Sequence, residues 1–79
     1  EAILTTIPNP FLNDFTIKVN ENKEIEIVQL TNLLGQVVYH QKTQKTSTHQ
    51  LSTSNLPKGT YWLSVKIGEK WIKKKVVKQ

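Results

Sequence analysis

The protein has 79 residues, no cysteine and a formal charge of +5 at pH 7, a size that allows a single domain burying about 60–65% of its unfolded surface. Without cysteine there is no disulfide-stapled scaffold and no thiolate metal site, although an extracellular life stays open. No uncharged apolar run exceeds three residues, so these residues hold neither a membrane-spanning helix nor the hydrophobic stretch of a signal peptide.

The chain opens on Glu1 rather than Met, as expected of a piece of a longer protein. Ile, Val and Thr supply 23 of the 79 residues, a β-branched content that makes strand the expectation almost throughout. Ile3 to Ile7 reads as a first strand stopped by Pro8. Pro8-Asn9-Pro10-Phe11 is a rigid turn, because Pro10 drives Asn9 out of the α region and neither proline can donate to a ladder. Phe11 is expected to plug back into apolar surroundings. Phe15, Ile17 and Val19 alternate with Thr16 and Lys18 as a half-buried second strand, and Asn20 to Lys23 turns the chain.

In the third strand, Glu24 to Leu30, the apolar parity switches at Ile27-Val28, which calls for a bulge there or for cover on both faces. Asn32-Leu33-Leu34-Gly35 is a turn with Gly35 at the positive φ, and Gln36 to His40 is a fourth strand. The polar stretch Thr43 to Thr48 is expected as an exposed loop leading into a short fifth strand that ends near Leu51. Ser52 to Asn55 is loop or one helical turn.

The last third organises the rest. Leu56-Pro57-Lys58-Gly59-Thr60-Tyr61 leads into two extended runs separated by Gly68-Glu69, and glycine at the first loop position signals a type II′ hairpin. Counting outward pairs Ile67 with Lys70, Lys66 with Trp71, Val65 with Ile72, Ser64 with Lys73, Leu63 with Lys74, Trp62 with Lys75 and Tyr61 with Val76. Alternation puts Tyr61, Leu63, Val65, Ile72 and Val76 on the core face, and Trp62, Ser64, Lys66, Trp71, Lys73 and Lys75 on the other. Lys74 falls on the core face. It either runs its stem along apolar surface to water or marks a bulge near Lys73.

Residues 58–79 carry seven Lys and one Glu, against four Lys and five acidic groups in residues 1–57, so the positive excess belongs to this hairpin. All of the basic residues are lysine. Arginine is the preferred bidentate reader of bases, and its absence argues against nucleic acid as a partner. Trp62 opposite Lys75 and Trp71 opposite Lys66 suit cross-strand cation–π pairs, and the two exposed indoles also offer a docking surface. About seven short strands with regular turns make the fold class all-β, a small antiparallel immunoglobulin-like β-sandwich. Tyr61, just past a corner and entering a strand, is placed like the tyrosine of a tyrosine corner, whose hydroxyl bonds back to upstream backbone.

Catalysis has little to stand on. His40 and His49 are the two histidines and Asp14 is the sole aspartate. No serine lies at a recognisable spacing from a histidine and a carboxylate, and there is no glycine-rich phosphate loop. Both histidines are expected at the solvated surface, and neither an enzyme activity, a cofactor nor a metal is expected.

Four stretches in order carry a family likeness: Pro8-Asn9-Pro10-Phe11, Asn32-Leu33-Leu34-Gly35-Gln36-Val37-Val38, Leu56-Pro57-Lys58-Gly59-Thr60-Tyr61, and the Lys-rich end Lys73-Lys74-Lys75-Val76-Val77-Lys78. Together they resemble the type A C-terminal sorting domain of the type IX secretion system of Bacteroidetes, with a departure at Thr31, where the family pattern often has tyrosine. The resemblance implies a single sorting domain over residues 1–79 at the end of a secreted enzyme or adhesin. The parent would cross the periplasm, be recognised by the outer-membrane translocon and reach the cell surface or the medium. A sortase-like surface peptidase would usually remove the domain. By the same resemblance Gly59, Tyr61 and Lys73, Lys74, Lys75, Val76, Val77 and Lys78 correspond to the motifs associated with export, while Pro8, Asn9, Pro10, Phe11, Asn32, Gly35 and Leu56 are family markers. The partners implied are the translocon, the peptidase and an upstream cargo domain of the same chain, with no nucleic acid and no membrane span. The other reading is a carbohydrate-binding or adhesive sandwich appended to a secreted enzyme, with Trp62 and Trp71 as stacking platforms roughly 13 Å apart at the ordinary strand rise.

Overall fold

A computed structural model describes residues 4–7, 13–20 and 23–79. The expected Pro8-Asn9-Pro10-Phe11 turn and its Phe11 plug lie outside them. The described residues hold strands and turns and no helix. The strands are β1 (Leu4–Ile7), β2 (Asp14–Val19), β3 (Ile25–Thr31), β4 (Val37–Thr46), β5 (Thr48–Ser52), β6 (Gly59–Ile67) and β7 (Lys70–Lys78). They form two antiparallel sheets, one in the order β1-β2-β5 and the other β4-β3-β6-β7. With β4 lettered C′ because it pairs beside β3, that is A-B-E facing C′-C-F-G, an immunoglobulin-like arrangement.

Alternation builds the core. Phe15, Ile17, Val19 and Leu51 come from the smaller sheet, and Ile25, Val28, Leu30, Tyr61, Leu63, Val65, Ile67 and Val76 from the larger. The polarity of each strand is therefore explained by which face meets the opposite sheet. Parity switches within β3, and the chain resolves it with a bulge one residue earlier than the sequence pattern places it; a second register shift skips Val38 of β4 between the Leu30–Tyr39 and Thr31–Val37 pairs. Ile25 pairs with Ile67 and Ile27 with Lys66, leaving Glu26 as an extra residue. That single insertion lets Ile25, Val28 and Leu30 all point inward, each fully buried. On the other side of β3, Ile25 faces Thr46 while Ile27 faces Lys42. The slack there is absorbed by Lys45 at a left-handed φ of 51°, and Thr43 Oγ1 donates to the Ile25 carbonyl.

The polar stretch Thr43 to Thr48 is strand, not loop. β4 runs through Thr46, and after Ser47 alone the chain re-enters strand as β5 in the other sheet. Counted as ribbons the sandwich thus has six runs rather than seven, with one bent across its corner. Val19 N donates to the Ser47 carbonyl at 2.9 Å. Thr46 Oγ1 donates to Thr48 O at 2.8 Å and accepts from Thr48 N at 3.2 Å, which fixes the bend. Both β4 and β5 are edge strands. At an edge, threonine and lysine satisfy strand geometry and water together, so a lack of apolar alternation does not signal a loop.

Tyr39 and His49 link these two segments. Tyr39 pairs with Leu30 and His49 with Ile17, so both side chains share the core-facing side of their sheets, and the hydroxyl lies 3.1 Å from Nε2. His40 is exposed, whereas His49 is half-buried, a correction to its expected place at the open surface. Burial pushes the His49 pKa down and the Tyr39 pKa up. A histidine whose folded pKa lies below its unfolded value contributes stability above about pH 6.5 and loses it as pH falls through the folded pKa. The melting temperature should therefore drop between pH 7.5 and pH 5, and His49→Gln should flatten that drop when the two are compared by differential scanning fluorimetry.

Candidate functional site

The terminal hairpin has the register that counting from Gly68-Glu69 predicts, from Ile67 with Lys70 through Tyr61 with Val76, and it continues to Thr60 with Val77 and Gly59 with Lys78. Gly68 has φ 65° while Glu69 has no positive φ, the pattern of a type II′ turn. Pairing is unbroken at Lys73 and Lys74, so there is no bulge. Lys74 is half-buried on the core face, as a lysine with its stem on apolar surface should be.

The outer face of the ribbon is basic and aromatic. Lys73 and Lys75 are exposed, Lys66 is half-buried, and Trp62 and Trp71 are 36% and 52% exposed. The cation over Trp62 is not its directly paired Lys75 but the diagonal neighbour Lys73, whose Nζ lies 5.5 Å from the ring centroid. Strand twist brings diagonal neighbours within reach of long side chains, so cross-strand counting alone picks the wrong lysine. The two indoles do not share one groove. Trp71 borders an open concavity of about 990 Å³ at the turn end, together with Lys23, Glu24, Glu26 and Lys45, while Trp62 lies outside that lining.

The ribbon's other end is tied into the fold. Tyr61 is buried and its hydroxyl donates to the Pro57 carbonyl four residues upstream, which is the expected tyrosine corner. Gly59 sits at φ 148° with open space where a Cβ would stand, and opposite it Lys78 points inward and is 6% exposed. The Lys78 ammonium donates to the Thr53 carbonyl and, at 2.6 Å, to the Leu56 carbonyl. Thr53 is itself fully buried. Its N–H and its hydroxyl each donate to the Asn13 carbonyl at 2.7 Å, and Leu56 N closes a turn onto Thr53 O at 2.9 Å. The last lysine thus binds the start of β2, the 53–56 turn and the tyrosine corner into one knot.

The residues that the family resemblance marks out therefore divide by position. Lys73 and Lys75 face water, Lys74 and Val77 are half-buried, and Tyr61, Val76 and Lys78 are inside. Asn32 is half-buried, Gly35 is exposed, and Leu56 packs on the core. Lys78 and Thr53 escape a reading that stops its register at Tyr61 and Val76. Two more steps along the ladder place Lys78 on the core face opposite a glycine, and the alternation Leu51-Thr53 places the threonine there too.

The model of the family described as "Secretion system C-terminal sorting domain" matches residues 5–79. The chain is also 45% identical over 64 residues to Ulvan lyase NLR42 of Nonlabens ulvanivorans, a match that covers 81% of this chain and 12% of that protein.

Proposed function

The chain belongs to this family, the C-terminal sorting domains of the type IX secretion system, and on that premise we propose that it works as the folded address label of a larger exported protein. The family is one of sorting signals rather than catalysts. The address is read by the outer-membrane translocon after the parent has reached the periplasm, the label is then removed by a sortase-like surface peptidase, and the cargo ends at the cell surface or in the medium. The cargo lies upstream in the same chain, on the pattern of Ulvan lyase NLR42, of which this chain spans about an eighth.

The observation that supports this reading best is the two-sided hairpin. Its inner face is locked into the sandwich through Tyr61, Val76 and Lys78. Its outer face exposes Lys73, Lys75 and Trp71 on the edge strand β7 and Trp62 on the neighbouring β6. Such a surface steers an acidic partner through a field that salt weakens, and it suits strand addition along β7 as well.

Removing the whole Lys73 to Gln79 segment would take Val76 and Lys78 from the core together with the exposed lysines, so retention of that truncation cannot separate recognition from folding. The test is a reporter with a periplasmic signal peptide fused ahead of residues 1–79. It should reach the surface, while the same fusion carrying Lys73→Glu and Lys75→Glu should keep its melting temperature and accumulate in the periplasm. Full surface delivery of the charge-reversed fusion would remove the role given to the outer face.

A further inference from the structure

The turn between β3 and β4 is stiffer than a connection needs to be, and it spends that stiffness on holding two leucines in water. Asn32 Oδ1 accepts from Leu34 N and Gln36 N at 3.0 Å each, and Asn32 Nδ2 donates to Gln36 Oε1 at 2.9 Å. Two backbone bonds close the loop, Gly35 N to Asn32 O at 3.1 Å and Asn32 N to Gln36 O at 3.0 Å. At its tip Leu33 is 69% and Leu34 85% exposed, and Val37 beside it is 54% exposed. Single exposed leucines are ordinary, but an adjacent pair on a rigid tip marks an interaction surface.

The tip also borders a concavity of about 310 Å³ whose other wall is Pro57, Lys58, Gly59 and the edge of Tyr61. Segments some 25 residues apart in sequence, the Asn32–Gly35 turn and the Leu56–Tyr61 corner, are thereby brought to one surface. Lys58 is the charged residue of this lining, which contains no carboxylate.

We infer that the Leu33-Leu34 tip and the groove behind it form a second docking surface, one that seats a protein component of the type IX machinery presenting an apolar cleft with acidic groups at its rim. The inference rests on the sorting reading above. Charge complementarity sets the rim, since Lys58 stands unopposed in a lining free of acids and the whole domain is at +5. The same charge opposes a second copy of this chain, and a patch of three side chains falls well short of the roughly 800 Å² per partner that a stable dimer buries. A lipid surface would take the tip but leave the groove unfilled, whereas a protein fills both.

The test uses the full-length exported protein in a host with the type IX system. Photoreactive benzoylphenylalanine replacing Leu34 should crosslink to an outer-membrane protein of that system, and the same probe replacing Glu69 at the opposite pole should not. Leu33→Ser with Leu34→Ser should lower surface delivery at least tenfold while leaving the melting temperature unchanged. If that double variant fails to fold, Lys58→Glu decides, with the same loss expected. Wild-type delivery by the folded variants, or crosslinks from position 34 to lipid or to a second copy, would overturn the inference and leave the sorting reading standing. Failure of the unaltered protein to reach the surface would sink both.

Discussion

Replacing Lys78 by Met should unfold much of the domain population, because it keeps the apolar stem and removes the ammonium that holds the first and last carbonyls of the 53–56 turn. The carbonyls of Thr53 and Leu56 would lose a charged donor in a place that water barely reaches. Hydrogen bonds to a charged group are worth about 1.5–3 kcal/mol each, and a buried acceptor left bare costs a comparable amount, so a loss of about 2–4 kcal/mol follows. For a domain of this size that is a drop of roughly 10 °C or more in melting temperature. Thermal melts of the purified domain check it. Export of Lys78→Met should fall in proportion to the folded fraction, whereas Lys73→Glu with Lys75→Glu should change export and not the melt. A lysine that acted only as a contact for the translocon would give the reverse pattern for Lys78, an unchanged melt with lost export.

Tyr61 carries the second large effect. Tyr61→Ala removes a buried ring from a small core, for which about 3–5 kcal/mol is expected, enough to leave a domain of marginal stability largely unfolded. Tyr61→Phe keeps the ring and deletes the bond to the Pro57 carbonyl, for about 1 kcal/mol. Urea titrations of the two variants should therefore separate the packing of Tyr61 from its corner bond. Because Gly59 and Lys58 stand in the loop that this bond closes, Tyr61→Phe should also loosen the groove beside Leu33 and Leu34, read as faster amide exchange over residues 57–60.

The hairpin was legible from two features, glycine at the turn and strict alternation on both sides of it, since a two-residue loop leaves one register. The sandwich followed from strand length and turn spacing. What the sequence hides has physical causes. The Thr43 to Thr48 stretch looks like loop because strand is usually recognised by burial of one face, and an edge strand bending between sheets has little burial to show. The bulge at Glu26 is announced by the parity switch but not located by it, because Glu26 and Ile27 are both acceptable as the odd residue until partners are known. Lys78 looks like one more surface lysine in a basic tail, and only its place opposite Gly59 turns it inward. The exposed Leu33 and Leu34 carry no pattern at all, as a two-residue apolar step in a turn reads equally as core or tip.

The charged face and the buried knot divide the labour of the terminal hairpin. One side is free to be read and the other keeps the ribbon in a single shape, so that a partner meets a preformed surface rather than paying to order it. The surface fraction of a reporter fused ahead of residues 1–79, measured in paired hosts with and without the type IX outer-membrane translocon, tests this account most directly. It predicts reporter at the surface in the first host and folded, protease-resistant reporter trapped in the periplasm of the second. Equal surface delivery in both hosts, or retention in both, would contradict it.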